Sequence, residues 1–370
     1  MTTECSQFVF GFHPQKRREI RAQFDGGAIT SDGGGLLLRE VEKRVGILRQ
    51  FAACFTDYRN PDRLEHTVEE MVAQRVYGLA LGYEDLNDHE ELRNDPLLAV
   101  LVEKEDPGSQ VLAGKSTLNR LELTKETASR KERYKKIVLD HGAVDRLLVD
   151  IFLEAHREAP EEIILDLANR VEYLLGLAKN ERLKAEIAKE MEEAKAQYQQ
   201  TGCATRLFKE FFYQTLKSWS RVRRVVAKAE HLEKGENPRF IVTSLSKEAW
   251  PAQALYEEHY CARGDMENRI KEQLMLFSDR TSTHYLRSNQ LRLYFSSITY
   301  VLLQMLRRLG LAGTELAQAQ CNTIRLKLLK IGALMRITVR KVWISLAGGY
   351  PYVTLFQQVH EKLCAVPVKY

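Results

Sequence analysis

The sequence predicts a mostly helical α+β chain, and three observations carry that reading. Apolar residues recur at helical spacing over long stretches, as in residues 65–82 and 287–309. Apolar and β-branched runs of strand length gather in the middle, at 161–167, 171–177, 222–229 and 240–245. Charge is unevenly divided: residues 51–106 carry 14 acidic and 5 basic side chains, while residues 280–341 carry 11 basic side chains and one acid, Glu315. Helices therefore dominate both ends and strands the middle, and the basic end suits a polyphosphate partner as well as a plain solvated surface.

In chain order, residues 1–28 mix aromatic and basic side chains with Gly26 and Gly27 and are expected as an extended lead-in. Ser31 or Asp32 is placed to cap a helix over 34–45, with Leu36, Leu37, Val41 and Val45 inward and Gly46 at its C-cap. Val68, Met71, Val72, Val76, Leu79 and Ala80 give the helix at 65–82 its buried side. The Asp95–Pro96 step splits 85–102 into two short helices. A further helix starts at Gly114-Lys115-Ser116, with Ser116 as its cap. That tripeptide ends like a phosphate loop, but Ser109 stands where the first glycine belongs and no strand precedes it, so no nucleotide site is assigned. Short helices with short connections fit a helix-turn-helix module and equally fit plain helical packing.

Residues 161–167 read as a buried strand ending in an acid, Asp166, and 171–177 as a second short strand. Residues 181–200 read as a charged helix of balanced sign, a solvated connector. The runs 222–229 and 240–245, parted by Gly235, Asn237 and Pro238, form a hairpin. Residues 287–309 make a long buried helix. A second helix is expected over 314–335, with Leu316, Ile324, Leu328 and Ile331 inward and Arg325, Lys327 and Lys330 outward. Residues 337–346 are strand-like, and Gly348-Gly349-Tyr350-Pro351 turns the chain into a last helix.

At 370 residues the chain has room for two or three domains. Its 44% hydrophobic and 28% charged residues are those of a globular protein in water. Six scattered cysteines form no CxxC pair, which argues against a zinc site or a disulfide framework and for reduced thiols in the cytoplasm. No signal-peptide pattern opens the chain, and the longest uncharged, mostly apolar run, 293–306, is too short to span a bilayer. No membrane partner is expected.

The stretch from Tyr260 to Lys271 is the richest in chemistry. Tyr260, Arg263, Glu267 and Lys271 fall at i, i+3, i+7 and i+11, on one face of a continuous helix. A carboxylate flanked by cations suits a site that holds a metal ion beside a phosphate. A solvated helix with i,i+4 pairs such as Glu267 with Lys271 fits the same spacing.

Several segments together resemble the DDE transposases of bacterial insertion sequences, in the insertion sequence thirteen-eighty group. They are Thr30-Ser31-Asp32-Gly33-Gly34; residues 74–89, opening Gln74-Arg75-Val76-Tyr77-Gly78; Ser116-Thr117-Leu118-Asn119-Arg120-Leu121-Glu122; residues 224–230; Asn237-Pro238-Arg239-Phe240; and residues 263–271. Gly313-Thr314-Glu315-Leu316-Ala317, residues 325–330 and Gly349-Tyr350-Pro351-Tyr352 extend the resemblance through the tail. It implies an RNase H-like core in which two Asp and one Glu hold two Mg²⁺ (or Mn²⁺) ions for in-line phosphoryl transfer on DNA. The resemblance implies Asp166 as the first Asp and Glu267 as the Glu, both catalytic and both metal ligands. Tyr260 and Arg263 match the Tyr-x2-Arg-x3-Glu motif. The lysine expected seven residues after Glu267 is Leu274, leaving Lys271 as the candidate substitute.

The chain departs from the group in one place. In the relatives further strands, a helix and a strand bearing Arg-Gly-Asp-Ser-Gly-Phe follow the first Asp, and the Asp of that motif is the second ligand. Here Leu165-Asp166-Leu167-Ala168-Asn169 runs straight into a segment resembling the strand after that second Asp, and only 101 residues separate Asp166 from Glu267. The resemblance therefore implies an internal deletion, a truncated RNase H-like core and impaired catalysis. Asp265 and Asp279 are the nearby acids, and Asp265 points to a different helical face from Glu267.

The expected organisation is a helical DNA-binding region at 1–158, a remnant core at 159–279 with a β-rich insertion at about 181–250, and a basic, mainly helical region at 280–370. The expected partner is double-stranded DNA at the element's terminal inverted repeats, contacted by Tyr260, Arg263, Arg269, Lys271, Arg325, Lys327 and Lys330. A homodimer or a mixed oligomer with full-length transposase, associated with the bacterial nucleoid, is implied. An active enzyme with a rearranged site, a non-catalytic repressor or inhibitor of transposition, and an inert remnant stay open as alternatives.

Overall fold

Alternating Phe10 and Phe12 face Ala22 and Ile20 across an antiparallel ribbon, so the lead-in is a hairpin of β1 (Phe10–Gln15) and β2 (Arg18–Ala22). The computed structural model describes residues 9–23, 26–125, 127–155, 173–215, 219 and 221–368. The chain divides into two compact units, Met1–Ala159 with Lys271–Tyr370, and Pro160–Ile270. Among the described residues helix takes 46% and strand 18%, so helix outweighs strand in a mixed α/β fold.

In the first unit, β3 (Ala28–Thr30) leads into Ser31-Asp32-Gly33-Gly34 and then α1 (Gly35–Val45). Neither Ser31 nor Asp32 caps α1, contrary to expectation: Gly34 holds that position without a side-chain cap, and Asp32 instead accepts a hydrogen bond from Tyr83 at 2.7 Å. Gly33 and Gly34 donate to the carbonyls of Ile331 and Leu329 at 2.8 and 3.1 Å. A Cβ on Gly34 would sit 1.9 Å from the Leu328 carbonyl oxygen, so only glycine permits this approach.

α1 buries Leu37, Leu38 and Val41 and ends at left-handed Gly46. Then come α2 (Ile47–Ala52), β4 (Phe55–Asp57) and α3 (Val68–Leu81). A reciprocal cap starts α3: the Thr67 hydroxyl accepts from Glu70 N–H at 3.1 Å and the Glu70 carboxylate accepts from Thr67 N–H at 2.9 Å. α4 (Asp88–Leu92) and α5 (Pro96–Leu101) are the two expected short helices, with Asp95 capping the second. α6 (Lys115–Glu122) begins two residues before the expected cap allows, with Gly114 as its cap and Ser116 inside the first turn. β5 (Ile137–Leu139) pairs with β4, and α7 (His141–Ala155) follows.

The second unit is built on an antiparallel sheet. β6 (Leu174–Leu177) is followed by α8 (Glu181–Glu186) and α9 (Ala188–Thr201). Next come β7 (Thr205–Tyr213), β8 (Arg223–Leu232), β9 (Gly235–Glu236) and β10 (Arg239–Thr243). The strand order is β6-β10-β8-β7, with β9 on β8, and the expected hairpin is the β8–β10 pair. The charged helical stretch is not a solvated connector. Leu183, Ile187, Met191 and Ala194 recur at helical spacing and are buried; the first three pack with Val225, Ala227, Phe240 and Val242. Val226 and Ile241 cover the other face together with Leu255 and Tyr256. These last two lie beyond α10 (Ala252–Ala254), at the start of the π-helical turn Leu255–Tyr260.

The division between units falls within α11 (Arg263–Leu274). α12 (Leu286–Leu306) is the long buried helix; it packs on α1, α2 and α3, with Phe295 edge-on to Phe51 at 5.4 Å. The N- and C-terminal regions thus share one core. The helix expected over 314–335 is mostly absent: helical turns are confined to α13 (Cys321–Ile324) and the π-helical Arg325–Leu329. Ile331, Ala333 and Met335 are buried in alternation while Leu334 and Arg336 are exposed, a strand period. That segment becomes β11 (Ala333–Ile337), paired with β3 and with β12 (Val342–Leu346), before α14 (Val353–Ala365). Among the described residues no helix is long and apolar enough to cross a membrane.

Candidate functional site on the glutamate helix

Tyr260 stands at the end of a π-helical turn, and residues 261 and 262 form a turn before α11 begins at Arg263. A wider turn shifts the phase of what precedes it. The single helical face expected for Tyr260, Arg263, Glu267 and Lys271 therefore holds within α11, for the last three, and not for Tyr260. The Tyr260 ring instead packs on Tyr256, with centroids 5.3 Å apart. Burial pushes the Tyr256 phenol up to about 12. The Tyr260 hydroxyl lies over β6, where a Cβ on Gly176 would come within 2.6 Å of it. Gly176 is thus the residue that lets the tyrosine lie against the strand.

Glu267, Arg269 and Lys271 are exposed on α11. Arg263 and Asp265 are placed on the same helix by its backbone. Asp166 lies outside the described residues. Asp279 is exposed in the turn after α11. Glu272 is buried and holds Arg307 in a two-pronged ion pair, at 2.6 and 3.0 Å. Among the described residues no three His, Cys, Asp or Glu side chains come together as a metal-binding group. The described part of the chain therefore supplies Glu267 as one carboxylate and does not make up a two-metal ligand set.

The three C-terminal cations named from sequence have distinct surroundings. Arg325 is 7% exposed; its guanidinium donates to the carbonyls of Ala80, Leu79 and Met275 at 2.8, 3.1 and 3.1 Å, which closes the C-terminal end of α3. Lys330 is held by Asp32 at 2.6 Å and sits 4.2 Å over the Tyr83 ring. Lys327 is exposed, with its ammonium 5.1 Å from the Tyr352 ring centroid. Sequence reasoning passed over another cationic cluster, Arg130, Lys131, Arg133, Lys135 and Lys136, although five basic residues in seven are a plain signal.

A family model for "Transposase DDE domain group 1" matches residues 12–169 and 167–368. The matches span nearly the whole chain, and the chain belongs to this transposase DDE domain family. Searches of curated proteins and of solved structures each return no match.

Proposed function

We propose that this protein descends from an insertion-sequence DDE transposase, binds DNA, and is impaired in strand cleavage and transfer. The observation that carries the reading is the family match, joined to the position of Glu267 on an exposed helix after a β-rich insertion. The two matched segments overlap at residues 167–169, and at that break we place the internal deletion, of the strands and the second Asp, that the resemblance implies. In the family's chemistry two divalent cations, when bound, supply the activation of the attacking oxygen. In this chain Asp166 and Glu267 are the residues that correspond to ligands. Two carboxylates give about −2 of ligand charge against two divalent ions, and no third acid stands in the expected context.

In this reading residues 159–279 are what remains of an RNase H-like core, with an insertion at about 181–250. DNA contact falls to exposed cations on α11, Arg269 and Lys271, and to Lys327. A strand-transfer assay on pre-cut terminal repeats with Mg²⁺ or Mn²⁺ tests the proposal. It predicts product at background level, and robust transfer that disappears in Asp166→Ala would overturn it.

A further inference from the structure

We propose that a basic groove along α6 in the first unit clamps the phosphate backbone of a DNA duplex. The inference rests on the DNA-binding reading above and adds a second contact surface to the cations on α11 and Lys327 named there. Two cavities, of about 640 and 390 Å³, adjoin through shared walls at Arg120 and Tyr134. Ten cationic side chains line the pair, against three acids, Glu65, Glu84 and Asp85. Of the ten, Arg280 is paired with Glu84 at 3.3 Å and Arg59 with Asp57 at 2.7 Å.

The cations at the mouth are held without carboxylates. Arg120 and Arg133 lie 5.3 and 4.9 Å from the centroid of the Tyr134 ring. A ring face orders a guanidinium and leaves its N–H donors open to phosphate. Among the described residues no acid forms an ion pair with Arg63, Arg120, Arg133, Lys135 or Lys136. Lys115, Ser116, Asn119 and Arg120 line one cavity from α6, adding neutral hydrogen-bonding groups to the charge.

Beneath them the floor is positive as well. Glu122, 2% exposed, accepts from Arg75 at 3.2 Å and from Arg292 at 3.1 Å, so two guanidiniums share one carboxylate. Charge held this deep is little screened by salt. The walls are fixed in place: Tyr58 N–H donates to the Lys136 carbonyl at 2.8 Å, continuing the β4–β5 pairing. Like charges gathered on a rigid frame repel one another in the free protein, and a polyanion removes that repulsion. A duplex, with one negative charge per roughly 1.7 Å of axis, matches a charged groove made of two concavities in series.

The test uses the full chain and a short fluorescent duplex, with anisotropy titrations between about 50 and 200 mM salt. The variant Arg120→Ala/Arg133→Ala/Lys136→Ala is expected to bind about tenfold or more weakly, with the slope of log K against log salt shallower by about 3. Lys184→Ala/Lys189→Ala/Lys195→Ala, on exposed positions of α8 and α9, is expected to change affinity less than about twofold. Lys135→Glu alone, at an exposed position, provides a second groove variant should the triple one unfold early. Groove variants that keep wild-type affinity and slope overturn the clamp and leave the DNA-binding reading intact. A wild-type chain that binds no duplex at the lowest salt overturns both.

Discussion

The C-terminal basic region and the α6 groove carry the same residue types and use them in opposite ways. In the C-terminal region Arg307 is locked onto buried Glu272, Arg325 onto three carbonyls and Lys330 onto Asp32. In the groove Arg120, Arg133 and Lys135 are exposed, and their ordering partner is an aromatic ring or the backbone around them. A count of 11 basic side chains to one acid over residues 280–341 therefore overstates the charge this region offers to a ligand. Buried guanidiniums act as cross-links of the fold, and it is the exposed ones with no carboxylate that attract a polyanion.

The contrast is open to direct attack. Arg307→Ala strands a buried carboxylate and is expected to cost about 3–5 kcal/mol in urea unfolding; a loss under about 1 kcal/mol would place Glu272 in water. Arg325→Ala takes the side-chain donor from the Ala80 and Met275 carbonyls and one of two donors from Leu79, which keeps the Gly82 N–H, with an expected loss of about 3 kcal/mol. The next effect is one of pH. Burial first, and then the Arg75 charge, hold His89 at about 3, below its ordinary 6.5. The unfolded chain then binds more protons between those values, so stability rises with pH across the window and is lost as pH falls through it. The expected loss is about 2 kcal/mol on going from pH 6.5 to about pH 5, flattened in His89→Gln. Smaller again, Thr67→Ala removes one side of the α3 cap and is expected to cost about 1 kcal/mol. Arg133→Ala, on the open groove wall, is expected to change stability by no more than about 0.5 kcal/mol while weakening DNA binding.

Local signals explain what could be read in advance. Asp95 with Pro96, and Gly46, are short-range punctuation, and their helices begin or end where they stand. Thr67 with Glu70 is a signal of the same kind that sequence reasoning passed over, so α3 begins at Val68 and not at 65. The β8–β10 pairing followed from two β-branched runs with turn residues between them. Non-local partners explain what could not. Residues 331–335 read as helix because Leu328 and Ile331 fit its period, yet pairing with β3, some 300 residues earlier, decided for a strand. Gly33 and Gly34 resemble a functional motif in sequence, but their task is to let Leu328 and Leu329 approach. The Tyr260–Glu267 spacing was legible and the π-helical turn that breaks its phase was not. Likewise, residue type alone does not tell a lysine fixed by Asp32 from one left open beside Tyr134.

The claim of impaired chemistry is tested most directly by plasmid nicking. Supercoiled DNA carrying the terminal repeats is incubated with the full chain in Mg²⁺, beside Glu267→Ala. The account predicts that the wild-type chain nicks no faster than the variant. Mg²⁺-dependent nicking by the wild type that vanishes in both Glu267→Ala and Asp166→Ala would contradict it, and would show that a third ligand is supplied from elsewhere in the chain.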